Sequence, residues 1–119
     1  MDIRNLNSAH PYITKDSSKI FELCHPVNSK VTNLSLAIAD IEAGHATKPH
    51  IHKKSEEIYY ILDGKGSMYI DDERGEVNLG DCVFIPPGAK HWIENNGKDK
   101  LVILCTSSPA YSHDDTELI

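Results

Sequence analysis

Apolar residues in this chain fall in short runs that alternate with polar ones, and nowhere do they recur with the spacing of a helix. The segments that carry the pattern are SKIFELCH (18–25), NLSLAIADI (33–41), EIYYILDG (57–64), GSMYID (66–71), GEVNLG (75–80), DCVFIPPG (81–88), HWIEN (91–95) and LVILCTS (101–107). Successive side chains of an extended strand point to opposite faces, so such alternation predicts strands with one face buried. Glycine, proline and charged turns interrupt the runs every 8 to 12 residues or so, roughly the spacing of an all-β barrel or sandwich. DDERG (71–75) reads as the tip of a hairpin, because Asp and Gly accept turn conformations. The polar ends lack the pattern, which predicts an N-terminal arm over 1–17, a barrel over 18–110 and a C-terminal tail over 111–119, a stretch that suits a solvated tail, a lid over the barrel mouth or a dimer contact.

Composition narrows the classes. A chain of 119 residues has room for one domain with a hydrophobic core. Its 39% apolar and 25% charged residues are ordinary for a globular protein, and no apolar run approaches the ~20 residues of a membrane helix. The N-terminus has no apolar stretch of the secretory kind, so the expected location is cytoplasmic. A net charge of −6 with scattered Lys and Arg offers no basic face to a phosphate backbone, which excludes nucleic acid as an expected partner. Cys24, Cys82 and Cys105 are odd in number and far apart, so they are expected to be reduced, mostly buried residues outside any disulfide framework.

Histidine changes the picture. Of seven histidines, His45, His50, His52 and His91 fall between positions 45 and 91, and KPHIHKKSEEIYYILDG (48–64) sets costly polar groups into a stretch that otherwise reads as strand. His50 and His52 share a face roughly 6.6 Å apart, close enough for both rings to reach one metal at about 2.1 Å. Glu57 lies five residues beyond His52, which an unbroken strand would send to the opposite face, but KKS (53–55) is a polar break where the register can reset. With Glu57, Tyr59 and Ile61 inward, Glu56, Ile58, Tyr60 and Leu62 point outward; the register with Glu56 inward stays open at this level. His91 opens a strand after the tight turn in IPPGAK. Three neutral imidazoles and one carboxylate hold a divalent first-row ion while leaving positions free for water or substrate, as metal catalysis requires. Tyr59 shares the inner face with Glu57 and is a candidate proton donor or base, though a barrel-lining aromatic needs no such role. His45 reads as a loop residue, GKG (64–66) as a hairpin turn, and Trp92 as packing on the outer layer.

Gly44, His50, His52, Glu57 and Gly64, separated by five, one, four and six residues, resemble the first motif of the cupin superfamily. Gly80, Pro86, Gly88, His91 and Asn95 resemble the second, and the 15 residues between Gly64 and Gly80 suit a small single-domain cupin of the conserved-barrel cupin 2 type. The resemblance implies a double-stranded β-helix, or jelly-roll, barrel forming a single cupin domain. It further implies one divalent transition metal per chain (Fe, Mn, Ni or Zn), bound by His50, His52, Glu57 and His91, and a homodimer, with which outward Ile58, Tyr60 and Leu62 agree. On this basis the expected function is that of a metal-dependent enzyme acting on a small polar metabolite. Dioxygenase-like oxidation ranks ahead of sugar isomerase or lyase chemistry. A non-catalytic module that binds or senses a carbohydrate is the competing reading, against which the full ligand set counts.

Overall fold

A computed structural model describes residues 1–119. Beyond a 3-10 turn at Leu6–Ser8 the chain is all strand: β1 (Tyr12–Ile13), β2 (Lys19–Cys24), β3 (Ser35–Ile41), β4 (His50–His52), β5 (Glu56–Asp63), β6 (Lys65–Ile70), β7 (Glu73–Asn78), β8 (Cys82–Ile85), β9 (His91–Glu94), β10 (Leu101–Ser108) and β11 (Thr116–Leu118). Two antiparallel sheets face each other, one ordered β1-β2-β3-β10-β5-β8 and the other β11-β4-β9-β6-β7. This is the jelly-roll barrel that the alternating pattern and the motifs predict.

The register of three adjacent strands explains where the site sits. Ser107 of β10 pairs with Ser35 on one side and Glu57 on the other; Cys105 pairs with Ala37 and Tyr59, and Ile103 with Ala39 and Ile61. Each inward row therefore runs from polar at one end to aliphatic at the other. The aliphatic end, with Ile41, Ile61, Ile93, Leu101 and Ile103, is closed and fully packed. From the polar end inward, the small side chains of Ser35, Ala37 and Ala39 leave space between the sheets.

Close backbone approach fixes the connection between the sheets. Gly64 has φ +83°, and a Cβ there would meet Lys100 O at 2.7 Å, while one on Gly66 would meet Glu94 O at 2.5 Å. GKG is thus the turn from β5 into β6, with glycines because no side chain fits. Fully buried Asn95 donates to Ile41 O (2.8 Å) and Asp99 O (2.9 Å) and accepts from Gly97 N (3.0 Å). Asn95→Ala leaves these partners unpaired, so chemical denaturation is expected to show a loss of about 3 kcal/mol.

The ends of the chain differ from expectation. The arm contributes β1, paired with β2 through Tyr12↔Ile20 and Ile13↔Lys19, and the tail contributes β11, paired with β4 through Thr116↔His52 and Leu118↔His50. Strands of two and three residues are too short to show alternation, and their partners are supplied by the tertiary fold. Cys82 is exposed on the outer face of β8, not buried, while all three cysteines are free. The hairpin tip is Asp71–Asp72, with Asp71 at φ +50°, and Glu73 already begins β7. Ile58, Tyr60, Leu62 and Phe84 stand partly exposed on the outside of the larger sheet. No helix is long and apolar enough to cross a membrane.

Candidate metal centre

Strands β4, β5 and β9 bring the four sequence candidates together. His50 and His91 are direct cross-strand partners with ring centroids 4.2 Å apart, and His52, on the same face of β4, lies 5.0 and 5.3 Å from them. Imidazole nitrogens of the three come within 4.8 Å of one another. Glu57 reaches in from the facing sheet, with Oε1 3.4 Å from His52 Nε2 and 3.5 Å from His91 Nε2. All four side chains are buried, while Glu56 is exposed, so the register left open by KKS places Glu57 inside. The reset is made by the tail. Asp115 O accepts from Lys53 N (3.0 Å), and its carboxylate accepts from Lys54 N (2.9 Å) and Ser55 N (3.0 Å). Slight burial raises the Asp115 pKa, but these amide hydrogen bonds outweigh it and hold the carboxyl below its usual range.

Hydrogen bonding fixes which nitrogen of each ring is free. His50 Nδ1 meets Lys48 O at 2.7 Å and His91 Nδ1 meets Ala89 O at 3.0 Å; a carbonyl only accepts, so both rings carry their proton on Nδ1. His52 Nδ1 lies 3.0 Å from Thr116 Oγ1, whose own proton goes to Ser112 O at 2.8 Å, so here too Nδ1 donates. Three Nε2 lone pairs therefore point into one small volume beside a carboxylate. Glu57 Oε1 and His91 Nε2 are buried there without any hydrogen-bond partner. Burial, and then neighbouring His91, lowers the His50 pKa and keeps that ring neutral. Burial alone would raise the Glu57 carboxyl, but hydrogen bonds and charge from His52 and His91 in their protonated form bring it down to about 2. Converging lone pairs and an ionised carboxylate repel one another unless a cation lies between them, so the donor set fits a divalent transition metal.

The supporting residues were not legible as such in the sequence. Thr116 orients His52, and Ser107 Oγ donates to Glu57 Oε2 at 3.2 Å. Because Thr116 sets the tautomer of a ligand ring, Thr116→Val is expected to weaken metal affinity about 10- to 100-fold, measurable by competition with a chromophoric chelator. Asp16, in the loop between β1 and β2, places Oδ2 3.6 Å from His50 Nε2. Its other oxygen holds the 14–18 loop, Asp16 Oδ1 accepting from Ser18 N at 2.9 Å in an Asx turn.

Tyr59 follows Glu57 along the inner row, is buried, and its ring centroid lies 6.3 Å from that of His91. Burial pushes its hydroxyl well above the usual tyrosine range, so it holds its proton. Tyr111 from the tail packs 5.8 Å from His52, with its hydroxyl pushed up to about 12, mainly by burial. His45 is exposed in the loop after β3, and Trp92 stacks on Tyr69 at 4.5 Å on the other face of β9. Together these groups enclose a cavity of about 50 Å³ lined by Asp16, His50, His52, Glu57, Tyr59 and Tyr111, among others. Lys15 Nζ donates to His113 O (2.8 Å) and Thr116 O (3.0 Å), tying the arm to the tail.

The model of the family described as "Cupin domain" matches residues 37–107, the span that holds the four converging side chains. This chain belongs to the cupin family. A cupin relative, an uncharacterized protein of Methanocaldococcus jannaschii, is 53% identical over 109 residues, which cover 92% of this chain and 87% of that one. The glucose-6-phosphate isomerase of Thermococcus gammatolerans is 36% identical over 75 residues, 57% of this cupin and 40% of the isomerase. Among solved structures, the oxalate decarboxylase of Lactobacillus farciminis in its formate complex superposes with a TM-score of 0.83 at 26% identity, covering 97% of this chain and 35% of that one.

Proposed function

We propose that this cupin is a metal-dependent enzyme acting on a small polar metabolite, with one divalent ion (Fe, Mn, Ni or Zn) held by His50, His52, Glu57 and His91. The observation that carries the reading is the commitment of all three Nδ1 atoms to oxygen partners, which leaves three Nε2 lone pairs converging beside the unpartnered Glu57 Oε1. When bound, such an ion would supply Lewis-acid polarisation of an oxygen-bearing ligand. The chain's own residues do the rest. Ser107 holds Glu57 in place, and Tyr59, which lines the cavity and keeps its hydroxyl proton, offers a hydrogen-bond donor to a ligand there. Tyr111 of the tail forms part of the cavity wall.

Isomerisation or lyase chemistry moves ahead of oxidation in this reading. Two similar proteins are named isomerase and decarboxylase. The enzyme is proposed to work in the cytoplasm. It is also proposed to dimerise through the outer face that bears Ile58, Tyr60, Leu62 and Phe84, an account that a monomeric mass in sedimentation equilibrium would remove. The test of function is metal analysis of protein purified without chelators, followed by turnover of polyols, aldoses, α-keto acids and catechols with each metal, with and without oxygen. Turnover tied to one metal supports the proposal; tight sugar binding without turnover on any metal replaces it with a sensor.

A further inference from the structure

The inner cavity is unusual in its charges. Its lining includes the carboxylates of Asp16, Glu22 and Glu57 and contains no lysine or arginine. A wider groove of about 350 Å³ lies outside it and shares Tyr12, Glu22 and Tyr111 with the cavity, so these residues stand at the passage between the two. The groove has no lysine or arginine either. Its His25 is already engaged at both ring nitrogens, with Nε2 donating to Tyr111 O (2.7 Å) and Nδ1 accepting from Val27 N (3.1 Å). Lys15, in the loop that carries Asp16, has its ammonium committed to two backbone carbonyls.

Asp16 is held as though its free oxygen were meant for something other than the protein. Oδ1 accepts from Thr14 Oγ1, Ser18 N and Ser18 Oγ, and the backbone carbonyl accepts from Lys48 N at 2.7 Å. Lys48 O in turn receives the Nδ1 proton of His50, so loop, β4 entrance and ring form one bracket. Within it Oδ2 faces His50 Nε2 at 3.6 Å, an oxygen acceptor opposite a nitrogen lone pair. Glu22 presents a second such acceptor, since Tyr12 donates to its Oε2 (3.0 Å) while its buried Oε1 has no partner.

We infer that this cavity takes the head of a neutral or cationic ligand rich in hydroxyl or amino donors and disfavours phosphates and dicarboxylates, with Asp16 as the residue that sets the preference. The inference rests on the metal reading above. A divalent ion's two positive charges are already matched by Glu57 and Asp16, so an incoming dianion meets no net attraction and faces Glu22 besides. A hydroxyl or amine donor instead satisfies Oδ2 of Asp16 or Oε1 of Glu22. A volume of about 50 Å³, some three to five water-sized spaces at roughly 10–15 Å³ each, admits only a few heavy atoms, and the rest of the ligand would lie in the outer groove.

The test uses full-length protein loaded with cobalt(II), whose visible spectrum reports ligand binding. Ethanolamine and inorganic phosphate are titrated into the wild type, D16N and E22Q. Asp16→Asn is close to isosteric and keeps the hydrogen-bond acceptor at Oδ1. The ratio of phosphate to ethanolamine affinity is expected to rise about tenfold or more in D16N and to shift in the same direction in E22Q, with cobalt still bound. A merely structural disturbance would move both probes the same way. An unchanged ratio in D16N with cobalt bound overturns the inference and spares the metal site; failure of the wild type to bind cobalt overturns both.

Discussion

Replacing His52 by alanine is expected to lower the affinity for divalent transition metals about a thousandfold or more. The ring is one of three converging Nε2 donors, buried and oriented by Thr116. Loss of an orienting partner alone typically costs 10- to 100-fold, so loss of the donor itself falls beyond that range. The fold is expected to survive. His52 sits at the polar end of the barrel, away from the aliphatic layer of Ile61, Ile93, Leu101 and Ile103, and its removal also relieves crowding between imidazoles. Metal content by mass spectrometry, beside circular dichroism of the same sample, separates the two effects. A folded H52A protein with one equivalent of metal bound as tightly as in the wild type would refute the assignment.

Acid is expected to release the metal steeply, with affinity falling about a thousandfold between pH 7 and pH 5 as protons compete for three imidazole nitrogens. The metal-free protein responds to acid in the same direction. His50 has a folded pKa below its unfolded value of about 6.5, so the stability this shift contributes is present above that pH and is lost as pH falls below it. Glu57 has its folded pKa depressed to about 2, so its contribution is present above the unfolded value of about 4.5 and disappears as pH drops toward 2. Metal-free protein should thus show a falling thermal midpoint from about pH 6.5 downward, with a second loss below about pH 4.5. A midpoint that rises between pH 6.5 and pH 4 would contradict the electrostatics of the site.

The barrel and the four converging residues were legible in the sequence because both are written in local spacing. Alternation marked the long strands β5 and β10, whose inner faces bury Tyr59, Ile61, Leu101 and Ile103. The choice between Glu56 and Glu57 was not legible. It depends on how residues 53–55 turn, and that turn is held by Asp115, some sixty positions away. Thr116 and Asp16 escaped for the same reason. Each lies in a terminal segment with no periodicity, and each acquires its role only when β11 joins β4 or the 14–18 loop docks on Lys48. Residues that orient a site through long-range pairing leave little local signature, whereas the site's own donors do.

X-ray absorption at the metal edge of protein purified without chelators addresses the centre itself. One ion per chain is expected, with about three imidazole nitrogens near 2.1 Å and the remaining positions filled by oxygen donors. An ion with fewer than two imidazoles, or a chain that retains no first-row metal under any loading condition, would contradict the account.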